Sequence, residues 1–247
     1  MLLVRHLTLR YPNGKGALTD FSLEVKPGEL VVVLGGNGSG KTTLLRCITR
    51  TLAPTAGEVW LNGIDLTRLA GEKLRCARLD LALISQHASL VRRRSVLANV
   101  AAGSLGRHYT LQTAFGGLPT HELDAAVDYL DEVGLVELGP QRAGTLSGGQ
   151  AQRVAIARAL AQRPKVLLAD EPVAILDPEA AEDIMRLLQR LAVTENLAVL
   201  CVLHQVELAY AYAHRVVGIR GGRLEFDLPR EAVSRDAVKR LYMSEAA

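Results

Sequence analysis

Apolar runs and the breaks between them divide this chain into elements. Leu30–Leu34, Val166–Ala169 and Ala198–Leu203 are continuous apolar stretches of strand length. Such runs suit strands covered on both faces of a sheet. Leu2–Tyr11 and Phe21–Val25 read as strands on either side of the turn Pro12-Asn13-Gly14-Lys15-Gly16. Glu58–Leu61, Leu81–Ser85 and Val216–Ile219 are further strand candidates, and Thr43–Arg50 carries a helical pattern. From Ser95 to Gln162 helical periodicity dominates, in Val96–Ala102, Leu123–Val133 and Gln150–Ala161. Between them Gly103–Thr120, rich in Gly and Thr, reads as a loop. A helix separates the second and third apolar runs. Asp177 is its N-cap, Pro178 its first residue, and Ile184, Leu187, Leu188 and Leu191 its apolar face. The alternation predicts an α/β fold with a mainly parallel sheet, interrupted by a helical insertion. Ligands of such sheets sit at the carboxyl ends of the strands.

Composition narrows the class. The chain has 247 residues, 49% apolar and 22% charged, the make-up of an ordinary globular protein. No apolar run approaches the ~18 residues of a membrane span. Arg5 and His6 interrupt the N-terminus, and no apolar stretch with a cleavage site follows. A net charge of +3 is too mild to point to a nucleic-acid partner, which calls for a concentrated basic stripe. Cys47, Cys76 and Cys201 form no CxxC pair and fit a reduced compartment.

Three local patterns carry chemistry. The first apolar run passes into Gly35-Gly36-Asn37-Gly38-Ser39-Gly40-Lys41-Thr42, followed by Thr43 and the helical pattern. This is the phosphate-loop spacing. Its glycines let backbone N–H groups converge on phosphate oxygens, and the helix presents its positive end. Lys41 is placed for the β- and γ-phosphates and the Thr42 hydroxyl for Mg²⁺. The second run ends in Asp170-Glu171. A carboxylate at the end of a buried strand is costly unless a cation compensates it. Asp170 then serves Mg²⁺, and Glu171 polarises the attacking water as general base. The third pattern, Leu146-Ser147-Gly148-Gly149-Gln150, opens a helix and makes a second anion-binding end. Two such ends make sense if one serves a nucleotide bound by another copy of the chain.

Together and in this order, these motifs resemble those of the ABC transporter ATPases over nearly the whole chain. The resemblance implies a RecA-like P-loop NTPase core, an antiparallel β subdomain and an inserted α-helical subdomain carrying Ser147–Gln150. It divides the single domain 1–247 into an α/β core (1–86 and 164–224), a helical subdomain (87–163) and a short tail (225–247). It places Tyr11 against adenine and makes Gln86 a sensor of Mg²⁺ and the γ-phosphate. His204 becomes the residue that contacts the γ-phosphate, and Asp177 belongs to the loop at the dimer interface. ATP and Mg²⁺ are the implied cofactors. The implied assembly is a head-to-tail homodimer with two shared ATP sites, bound to separate permease subunits on the cytoplasmic face of the membrane. A periplasmic or lipid-anchored solute-binding protein completes the implied system. Ile175 departs from the family pattern, which has a small residue there, and Gly36 stands where many members have Pro.

Within the family, residues 141–147, 169–174 and 203–209 look most like the phosphonate/phosphate import ATPases, with polar amino-acid importers as the alternative. Arg92-Arg93-Arg94 reads as a solvated basic turn or as a docking surface for a permease helix. Chromosome-organising and DNA-repair relatives carry coiled coils or zinc-binding cysteine pairs, and neither pattern occurs here.

Overall fold

Leu30–Leu34 (β3) is buried at all five positions because it lies inside a six-stranded sheet. A computed structural model describes residues 1–108 and 117–242 of the chain. The expected 103–120 loop therefore falls partly outside the described residues, and 102–107 is a 3₁₀ helix. Around β3 stand Leu81–Ile84 (β6), Val166–Asp170 (β7), Ala198–Val202 (β8), Arg215–Arg220 (β9) and Arg223–Pro229 (β10), in the order β10-β9-β3-β8-β7-β6. All neighbours pair in parallel except β10, which pairs antiparallel with β9.

The two-residue period of a strand sorts these apolar runs onto two faces. Leu30, Val32, Leu167, Ala169, Val199 and Cys201 join a core with Val96–Ala101 (α3), Thr120–Glu132 (α4), Gly148–Ala161 (α5) and Pro178–Thr194 (α6). Val31, Val33, Val166, Leu168, Leu200 and Val202 face the other way, onto Lys41–Ile48 (α1) and a second sheet. That second sheet is antiparallel, ordered β2-β1-β4-β5. Its strands are Leu2–Arg10 (β1), Gly16–Val25 (β2), Ala56–Leu61 (β4) and Ile64–Asp65 (β5). A short helix, Gly71–Ala77 (α2), precedes β6.

The chain after 224 departs from the expected tail. β10 runs across that boundary as a sheet strand. Val206–Tyr212 (α7) follows β8, and Arg235–Tyr242 (α8) buries Ala237, Val238 and Leu241. Val238 and Leu241 belong to the main core. Their apolar spacing is masked in sequence by five charged or polar neighbours, so docking onto the core, not local pattern, makes this segment structural.

Candidate active site

The turn from β3 into α1 is built on close approach. A Cβ at Gly35 would lie 2.4 Å from the Ile219 carbonyl oxygen. Gly40 has φ of 110° and would meet the Ala17 carbonyl at 2.6 Å, so both positions need glycine. Because Gly40 is the N-cap, α1 has no side chain capping its first N–H groups. They are left for an anion. Lys41 is buried, and its Nζ donates to the carbonyl oxygens of Gly35 and Gly36 at 2.7 and 3.0 Å. Burial lowers its pKa against the opposing fields of Glu171 and Asp170.

A cleft of about 290 Å³ opens over this loop, lined by Tyr11, Asn37–Thr43, Glu171 and His204. Tyr11 is fixed there by its hydroxyl, 3.1 Å from Thr43 Oγ1. Lys15, just before β2, and Gly16 and Ala17 at its start complete the lining. Sequence reasoning missed these three, though their place in the turn beside Tyr11 was the available signal.

Opposite the loop, β7 and β8 deliver Asp170, Glu171 and His204. Burial first, then repulsion from Glu171, raises the Asp170 pKa, with Arg46, Lys41 and His204 opposing. Glu171 holds φ of 51°, a left-handed conformation rare for a residue with a side chain. Its N–H donates to the Val202 carbonyl at 3.1 Å, which fixes the bend at the strand end. His204 Nε2 lies 2.6 Å from Glu171 Oε1, so the two residues expected to serve water and γ-phosphate meet each other in the free chain.

The donor set fits a polyphosphate with a divalent cation. It offers an ammonium, uncapped helix N–H groups, the exposed Thr42 hydroxyl and the half-buried Asp170 carboxylate. The buried Ser39 Oγ in the same loop finds no hydrogen-bond partner among the described residues.

Gly35, Gly36, Asp170, Gln86, Ser147–Gln150 and Asp177 lie outside the cleft lining, although Gly35 and Gly36 accept from Lys41 and Asp170 is electrostatically coupled to Lys41 and Glu171. Gln86 follows β6 and is half-buried. Its loop is tied to α5, because Gln152 Nε2 donates to the Ser85 carbonyl and Arg158 to those of Ala88 and Ser89. Gln152 and Arg158 escaped sequence reasoning. Ser147 is an N-cap in a capping box: its Oγ accepts from Gln150 N–H at 3.2 Å, and Gln150 Oε1 accepts from Ser147 N–H at 3.0 Å. The expected bare helix end is thus partly satisfied within the chain. Asp177 caps α6, accepting from Ala180 N–H at 2.9 Å. The two caps are neighbours, since a Cβ at Gly148 would lie 3.3 Å from Leu176. Ile175 beside them is 55% exposed.

The ABC transporter family model matches residues 18–174. The phosphonates import ATP-binding protein PhnC 2 of Synechococcus sp. is 45% identical over 99% of this chain and 91% of its own length. The phosphate-import ATP-binding protein PhnC of Mycolicibacterium smegmatis is 46% identical over 98% of this chain and 92% of its own. The chain belongs to the ABC transporter ATPase family. Among solved structures, cbiO1 of Clostridium perfringens, part of the ABC transporter complex cbiONQ, superposes with a TM-score of 0.84 at 29% identity. That match covers 97% of this chain and 92% of the other. The dimeric bacterial ABC transporter cassette MJ0796 superposes at 0.80 with 31% identity, over 94% of this chain and all of its own. These likenesses bear out the expected RecA-like core with its helical subdomain. The phosphate loop of this ABC ATPase implies use of ATP and Mg²⁺. Among the described residues no helix is long and apolar enough to cross a membrane.

Proposed function

We propose that this ABC ATPase energises import of a phosphonate or of phosphate through separate permease subunits, from the cytoplasmic face of the membrane. The observation that carries the reading is the meeting of Lys41, Glu171 and His204 in the lining of one cleft, with Asp170 electrostatically coupled to all three. Similarity to proteins named for phosphonate and phosphate import, along almost the whole chain, supports the substrate class.

The residues divide the work. Tyr11 packs against the adenine. Asn37–Thr43 bind and orient the phosphates, with Lys41 leaving its two carbonyl partners for phosphate oxygens. Thr42 and Asp170 hold Mg²⁺, with Gln86 reaching it when its loop closes. Bound Mg²⁺ supplies neutralisation of the charge that develops on the β- and γ-phosphates. Glu171 orients a water in line with the γ-phosphate and takes its proton. His204 releases Glu171 when it turns to the γ-phosphate.

Ser147–Gln150 and Asp177 serve the nucleotide of a second copy. Their absence from the chain's own cleft lining and the exposed Ile175 beside them support a shared face. A solute-binding protein presents the cargo to the permease outside. On this side, the permease seats in the groove of about 580 Å³ between β6 and α5, where Leu83 and Leu105 are exposed. The exposed Arg92–Arg94 turn flanks the loop that follows Gln86.

The test is uptake by cells that lack the native gene. Wild-type chain restores uptake of labelled methylphosphonate or phosphate. Glu171→Gln binds ATP but restores neither, with turnover down about 10²–10⁴-fold, as loss of a general base gives. Undiminished turnover removes Glu171 from its role. Restored turnover with uptake of neither solute overturns the substrate class.

A further inference from the structure

A cluster of titratable side chains in the helical region lies outside the nucleotide cleft. Glu122, in the first turn of α4, has a side chain only 1% exposed, a rare place for a carboxylate. Its Oε1 lies 2.7 Å from His108 Nε2 and 3.4 Å from His121 Nε2. Arg163, just beyond α5, meets Oε1 and Oε2 at 3.2 Å each. The two imidazoles stand edge to face, with centroids 5.8 Å apart. One donor atom from each of His108, His121 and Glu122 falls within 4.8 Å of the others.

We propose that His108, His121 and Glu122 form a zinc site in the helical region, independent of the nucleotide. Two imidazole nitrogens and one carboxylate oxygen are a donor set that Zn²⁺ takes, with a water in the fourth position. Tetrahedral bonds of about 2.0–2.2 Å set donor atoms roughly 3.3–3.5 Å apart. The His121–Glu122 separation already matches, and the His108–Glu122 pair opens by less than about 1 Å. Zinc replaces the hydrogen that bridges His108 Nε2 and Glu122 Oε1, because a coordinating imidazole nitrogen carries no hydrogen. Arg163 then stays on Oε2 and orients the carboxylate from outside the coordination sphere.

The place is built before the ion arrives. Arg107, next to His108, donates to the carbonyls of Leu79, Gln162 and Arg163 and so pins the turn to the end of α5. His121 is mostly exposed and gives the ion an entrance. Bound zinc joins the 108 turn to α4 and, through Arg163, to α5, the helix that Ser147 caps.

The test uses the full-length chain with Cys76→Ser, which removes an exposed thiol that would compete for zinc. Zinc binding is measured by competition with a chromogenic chelator, and the thermal midpoint is read with and without zinc. One zinc per chain and a raised midpoint are expected. His121→Ala and His108→Ala each weaken binding about 100-fold or more, given that even outer-shell partners carry about 10–100-fold. His121 is exposed enough for its variant to fold, which circular dichroism verifies. The proposal falls if the parent chain binds no zinc against the chelator, or if the folded His121→Ala chain binds it unchanged.

Discussion

Asp170 is where the chain's stability and its chemistry oppose each other. Burial, and then the neighbouring Glu171, raise its pKa in the folded state. A carboxyl so raised contributes stability below its unfolded pKa and loses it as pH rises through the folded value. At neutral pH the nucleotide-free chain therefore carries a destabilising charge that Mg²⁺ would offset. Asp170→Asn is expected to raise the thermal midpoint of the nucleotide-free chain, at about 2–4 °C per kcal/mol for a chain this size. The same change should erase the further rise that Mg²⁺–ATP gives wild type. Scanning calorimetry with and without Mg²⁺–ATP checks both, and a lower midpoint without nucleotide would contradict the assignment. Lowering the pH should weaken Mg²⁺-dependent ATP binding sooner than an ordinary aspartate would, because the raised pKa meets the falling pH first. Glu171 was legible as a residue type after a buried strand. Its left-handed backbone and its bond to His204 were not, because both depend on β8 lying beside β7.

At the scale of elements, the buried parallel strands were readable because burial on both faces removes polar positions from their sequence. β3, β7 and β8 depart from the expected bounds by one residue at most. The α6 cap was equally plain, since Asp177-Pro178 is a local signal and Asp177 does accept from Ala180. The two-residue β5, the edge strand β10 and the eight-residue α8 were not readable, because pairing and docking stabilise them more than their own pattern does. The bond between α5 and the Gln86 loop also lay beyond the sequence. Arg158 makes two hydrogen bonds to backbone carbonyls there, and such bonds to a charged group are worth about 1.5–3 kcal/mol. Arg158→Ala should lower urea stability by roughly that amount. It should also speed amide exchange in residues 86–91 while leaving β7 protected. Arg158→Lys, which cannot span both carbonyls, should recover only part of the loss. Unchanged exchange in 86–91 would mean that α5 does not hold the loop.

For the molecule as a whole, the phosphate loop was legible because all its parts are contiguous. The proposed composite site rests, in the sequence, on a surplus: two anion-binding helix ends for one phosphate tail. Lys41 and Thr42 line the cleft, whereas Ser147–Gln150 and Asp177 do not. On the proposed reading, one chain would hold two halves of different sites, and a two-fold dimer would complete both. Activity in mixtures of two defective chains tests this most directly. Lys41→Ala damages the phosphate-loop half, and Ser147→Arg the other half. Each variant alone should hydrolyse almost no ATP. Mixed in equal amounts and allowed to exchange, half the dimers become hybrids with one intact site, giving about a quarter of the wild-type rate if sites act independently. A mixture no more active than either variant alone, or a Ser147→Arg chain with the full wild-type rate, would contradict the shared site.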